Sequence, residues 1–146
     1  MTKSVKLEII TPECLFFRGE VDLVIVRTLS GDEGFMAGHT WACKLLDVGE
    51  IWFQEAGSKD YKFLAAARGF IEVRDSIVIF VDAAEWPGDI DVERANNEKE
   101  RAELWLQQHQ SDSGDENEER IFLARVSIKK QMSRMKAAKG GTRIRR

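Results

Sequence analysis

The feature that most constrains this chain is an abrupt change of composition at Trp86-Pro87-Gly88. Eight of its 11 glycines lie at or before Gly88, and neither Gly nor Pro occurs from Asp89 to Gln110. Ahead of that point, apolar stretches alternate with turn residues roughly every 8–12 positions, as in small all-β domains. Val5, Leu7 and Ile9 alternate with Lys6 and Glu8, the two-residue period of a half-buried strand. Leu23 to Val26 is a denser run, expected to be buried on both faces. Gly31-Asp32-Glu33-Gly34 reads as a turn. Further strands are expected at Ile51-Trp52-Phe53, at Tyr61, Phe63 and Ala65, at Phe70-Ile71 with Val73, and from Ile77 to Val81. Residues 1–88 are therefore expected to form an antiparallel β-sandwich.

Beyond Gly88, good helix formers dominate. Asp89 or Asp91 is placed to cap a first helix, and Val92, Ala95, Ala102 and Leu106 share one face that Lys99 interrupts. Ser111 to Asp115 reads as a loop. A second helix is expected from about Asn117 to Ala138, with Ile121, Ala124, Ile128, Met132 and Met135 in one stripe. Two helices joined by a short loop make an antiparallel hairpin, assigned to residues 89–139, and 140–146 form a basic tail. Both stripes are thin in apolar volume, so the hairpin is expected to open and close. The fold class is β plus α: an N-terminal antiparallel β-sandwich followed by a C-terminal antiparallel two-helix hairpin.

The formal charge of −3 over 146 residues conceals three blocks. Residues 1–88 carry −5, residues 89–119 carry −8, and residues 120–146 carry +10 with no acidic side chain. No apolar run approaches the roughly 18–20 residues that span a bilayer, and MTKSVKLEII does not read as a secretory signal. Cys14 and Cys43 sit in no paired-ligand spacing, and His39 and His109 lie far apart, so no metal site is expected. No phosphate-loop glycine motif, His-Glu-x-x-His helix or nucleophile–base pair occurs, and His39 after Gly38 is a lone loop histidine. No catalytic residue is assigned.

The stretch Gly31-Asp32-Glu33-Gly34-Phe35-Met36-Ala37-Gly38-His39 resembles the epsilon subunit of F-type ATP synthases, a small subunit of the central rotating stalk. The resemblance continues through Thr11-Pro12-Glu13, Phe17, Gly19-Glu20-Val21-Asp22, Val24, Val26, Gly49-Glu50-Ile51 and Arg68-Gly69-Phe70-Ile71-Glu72-Val73. It covers about 85 residues in order, and a helical hairpin follows, as it does here. Glu33, Trp41 and Arg68 depart from the residues usual in that family. The resemblance implies a non-catalytic rotor component that docks on the gamma subunit and the c-ring, with Gly38 and His39 at the subunit interface. It further implies a place at the cytoplasmic face of a bacterial plasma membrane, peripheral to it.

Ile90-Asp91-Val92-Glu93-Arg94-Ala95 is similar to the Ile/Leu-Asp-x-x-Arg-Ala motif with which some bacterial epsilon subunits bind ATP. By position, Glu85, Ile90, Asp91, Arg94, Ala95, Arg101 and Arg134 fit that pattern, while Lys130 stands where those subunits have a further arginine. Arg94 and Arg101 are two helical turns apart and face the same way. Guanidinium groups so placed suit phosphates, and the alternative is that these charges simply solvate a helix start. No cofactor is required; a regulatory ATP is the one implied.

In the same family, the second helix extends into the catalytic head and restrains ATP hydrolysis. Lys129, Lys130, Arg134 and Lys136 are then the residues expected to contact the alpha and beta subunits. The rival reading is a free-standing β-sandwich whose basic tail binds nucleic acid. The lack of aromatic side chains after Phe122 argues against base stacking there, so no nucleic-acid partner is expected.

Overall fold

The structure, a computed structural model, describes residues 3–112 and 114–141. The chain divides into two units between Trp86 and Pro87, two residues ahead of the boundary expected from composition.

In the first unit, the described residues form nine strands: β1 (Val5–Ile10), β2 (Leu15–Thr28), β3 (Gly31–Phe35), β4 (Ala42–Leu46), β5 (Gly49–Glu55), β6 (Tyr61–Ala66), β7 (Gly69–Val73), β8 (Ile77–Val81) and β9 (Ala84–Glu85). They follow the order β1-β8-β7-β4-β2-β5-β6-β9, with β3 paired to β2 and β1 also paired to β2. All pairings are antiparallel except β1 with β8, which run parallel.

β2 organises the sandwich. Residues 15–21 pair with β1, and residues 21–28 pair with β3, β4 and β5. A register shift between Val21 and Leu23 inserts a residue, so Val21 and Val24 both reach the core and the inward positions change parity. Val24 and Val26 are fully buried while Leu23 and Ile25 are half-buried, so the expectation of equal burial on both faces is corrected to an alternation. Leu7, Ile9, Phe35, Phe53, Leu64, Ile71, Ile77 and Ile79 complete the centre of the core.

Two further expectations change. Gly31-Asp32-Glu33-Gly34 is not a turn but most of β3, and the turn is Leu29-Ser30. Glycine permits a turn without requiring one, and here the segment pairs residue for residue with β2, with Arg27 Nε 2.6 Å from Asp32 Oδ1 and Lys44 on β4 paired to Glu33 beside it. The short β4, unforeseen in the sequence, pairs residue for residue with β7. At Gly69 a Cβ atom would lie 1.8 Å from the Phe80 carbonyl oxygen, so only glycine allows β7 to approach β8 this closely.

The second unit holds a single 3-10 turn (Pro87–Asp89), α1 (Val92–His109) and α2 (Asp115–Ala138). α1 begins at Val92, so Asp91 is the one used of the two caps expected. Ala95 is the only buried residue of α1; in α2 those are Gln131 and Ala137. Met132, expected in the buried stripe, is 55% exposed, and its neighbour Gln131 takes the inward position at 3%. Gly140 and Gly141 adopt positive φ after α2, and from Thr142 onward the expected basic tail lies outside the described residues.

Candidate functional site

The start of α1 is set by its cap. The Asp91 carboxylate accepts the backbone N–H of Arg94 at 3.0 Å, and Ile90 just ahead of it is buried. One turn on, Arg94 Nε donates to Glu98 Oε1 at 3.1 Å, an i,i+4 pair on the same helix face. The other oxygen of Glu98 accepts from Gln131 Nε2 of α2 at 2.9 Å. Gln131 Oε1 in turn accepts from Arg134 Nη1 at 2.6 Å, and that same nitrogen lies 3.9 Å from Glu98 Oε2. Arg134 has a side chain only 13% exposed.

Of the residues singled out for nucleotide, the structure therefore joins Arg94 and Arg134 through Glu98 and Gln131. Asp91 and Ala95 hold the helix start in place, the latter fully buried. Arg101 is exposed, and with Glu98, Trp105, Arg120, Leu123 and Ser127 it lines a groove of about 500 Å³ along the hairpin. Glu85 lies on β9, in the first unit. Sequence reasoning missed Glu98 and Gln131. The available signals were the i,i+4 spacing of Glu98 from Arg94 and a glutamine next to the apolar stripe.

Gly38 and His39 occupy an exposed loop between β3 and β4. Gly38 has φ +79, a conformation that favours glycine. His39 shares its Nδ1 with the Thr40 carbonyl at 2.7 Å, and its ring stands edge-on to Phe35 with centroids 4.7 Å apart. Met36 and Trp41 are exposed on the same loop, and the Arg74 guanidinium lies 5.9 Å from the Trp41 ring centre. Lys129 and Lys136 are exposed on α2 and Lys130 is half-buried.

A further surface was not foreseen. The strand registers place Leu45, Phe70, Phe80, Ile10 and Leu15 side by side in one row across β4, β7, β8, β1 and β2. Phe70 and Phe80 stack with centroids 4.9 Å apart, and Leu45, Phe70 and Leu15 are exposed. Beside them runs a cleft of about 300 Å³ that includes Thr11, Pro12 and Gly69. Neighbouring apolar side chains with this exposure make the row a candidate interaction surface. Among the described residues no group of acidic, Cys or His side chains is placed to hold a metal, and no helix is long and apolar enough to cross a membrane.

Residues 4–87 match the family described as the beta-sandwich domain of the ATP synthase delta/epsilon chain. The chain belongs to that family. The ATP synthase epsilon chain of Alkaliphilus metalliredigens is 42% identical over 108 residues, 73% of this chain and 79% of that one. The epsilon chain of Desulforamulus reducens is 37% identical over 139 residues, covering 94% and 99%. A chain of the Euglena gracilis mitochondrial ATP synthase, solved with its F1 portion and c-ring, shares the fold with a TM-score of 0.72 at 20% identity, over 89% of this chain and 78% of that one. Membership of the delta/epsilon family makes this a non-catalytic subunit of ATP synthase, as the Gly31–His39 stretch implied.

Proposed function

We propose that the chain works in the central stalk of a bacterial ATP synthase, where it couples ion flow to ATP synthesis and restrains ATP hydrolysis through its C-terminal helices. The observation that carries this reading is the exposed apolar row from Leu45 to Leu15, an uncovered hydrophobic surface that suits permanent docking on another subunit. The gamma subunit covers that row, and the loop bearing Gly38 and His39 faces the c-ring. The complex lies at the cytoplasmic face of the plasma membrane, with this chain peripheral to it.

The hairpin supplies the brake. When α2 leaves α1, its basic side chains Lys129, Lys130, Arg134 and Lys136 meet acidic surfaces of the alpha and beta subunits. ATP held by Arg94, Arg101 and Arg134, with Ile90, Asp91 and Ala95 shaping the site, favours the closed hairpin by mass action. Two measurements test the reading. Affinity capture of the chain from native membranes should bring down the gamma, catalytic and c subunits, and their absence would overturn it. Removal of residues 89–146 should leave assembly intact and raise ATP hydrolysis; unchanged hydrolysis removes the brake.

A further inference from the structure

The hairpin closes on very little apolar volume. Ala95 is the only buried residue of α1, and α2 contributes Ala137 and the amide of Gln131. What links the helices at their open end is polar. Glu98 receives Arg94 on one oxygen and Gln131 on the other, and Gln131 carries the connection to Arg134. The Arg94–Glu98 pair is exposed and contributes little by itself. The interhelical arm differs, because it passes through a side chain only 3% exposed, where water competes poorly.

A carboxylate thus engages two arginines, one from each helix, whose chemistry suits phosphate oxygens. We propose that Glu98 is a built-in substitute for that anion: it latches the hairpin closed without ligand, and thereby sets how much nucleotide binding changes the hairpin. The second half of this statement rests on the ATP reading of Arg94 and Arg134; the latch itself does not. In this account Glu98 already favours closure in the free chain, so ATP shifts the hairpin less than it would without that carboxylate. Removing the carboxylate uncouples α1 from Gln131 and Arg134, and it makes closure depend on an external anion.

The test uses the full chain, with Cys14 and Cys43 replaced by Ser and spin labels at Asn97→Cys and Lys136→Cys, both exposed positions. Pulsed electron paramagnetic resonance reads the distance between the helices with and without millimolar ATP. The parent protein should give one short distance in both conditions. Glu98→Ala, which keeps a strong helix former, should raise the open fraction about tenfold without ATP. Adding ATP should return that variant to the short distance. Gln131→Ala, which cuts the bridge but keeps the Arg94–Glu98 pair, should also open the hairpin. If both variants keep the parent distance without ATP, the latch is overturned. A parent protein that closes on ATP as strongly as Glu98→Ala overturns the role of substitute anion. If Glu98→Ala opens and ATP does not close it, the latch stands and the nucleotide reading falls.

Discussion

Asp91 holds the backbone N–H of Arg94 at 3.0 Å, so a single aspartate both starts α1 and orients the arginine that follows. Its side chain satisfies one of the unpartnered amides of the first turn and sits where the helix dipole favours negative charge. Asp91→Ala should destabilise the hairpin by about 1 kcal/mol, and Asp91→Asn by much less. Thermal melts followed by circular dichroism at a helix wavelength check this; equal loss in both variants would show that charge, not capping, matters.

Gly69 makes the second prediction. The atom that Ala would add meets the backbone of Phe80, which cannot swing aside as a side chain tip does. Gly69→Ala should cost about 2–3 kcal/mol or more, because β7 and β8 must separate. Urea unfolding with an unchanged slope measures it, and a cost below 1 kcal/mol would contradict the close approach.

The apolar row separates docking from stability. Leu45 is 63% exposed, so Leu45→Asp should leave the fold of the first unit intact while lowering recovery of the chain with ATP synthase subunits from membranes. Lys62→Asp, an exposed change on β6, serves as the control expected to leave recovery unchanged. Equal recovery of Leu45→Asp and the parent protein would place the docking surface elsewhere.

A pH prediction follows from Glu8. The Arg18 guanidinium, with Nη2 at 3.0 Å, holds the Glu8 carboxyl below its ordinary range, against the opposing effect of desolvation. A carboxylate whose pKa is lowered on folding stabilises the fold above its unfolded pKa, and that stabilisation disappears as pH falls through the folded value. The difference in melting temperature between the parent protein and Glu8→Gln should therefore be present at neutral pH and vanish in the acidic range. A difference that stays constant with pH would show that the pair contributes through packing alone.

What the sequence made legible was whatever local periodicity encodes. The alternation of Val5, Leu7 and Ile9 and the run from Ile77 to Val81 appear as read, and of the two caps expected for α1 the structure uses Asp91. Residues whose placement depends on distant partners were not legible. Gly31 to Gly34 carries turn chemistry, yet pairs across to β2, and the turn itself holds Leu29, an apolar residue with no turn signal. The displacement of Met132 by Gln131 is a shift of one position on a helix, and the inward amide meets Glu98, 33 residues away. The row from Leu45 to Leu15 draws one residue from each of five strands, so no window of sequence contains it.

The long β2 carries a mechanical consequence. Because one strand pairs with β1 along its first half and with β3, β4 and β5 along its second, displacement of those strands past one another is opposed by covalent backbone and ladder hydrogen bonds, and not by side-chain packing alone. The residue inserted near Asp22, a second register shift along the strand after the one at Phe16, changes which side chains face the core without a loop. A push on the apolar row is therefore passed along the backbone of β2 to the strands paired with its other half.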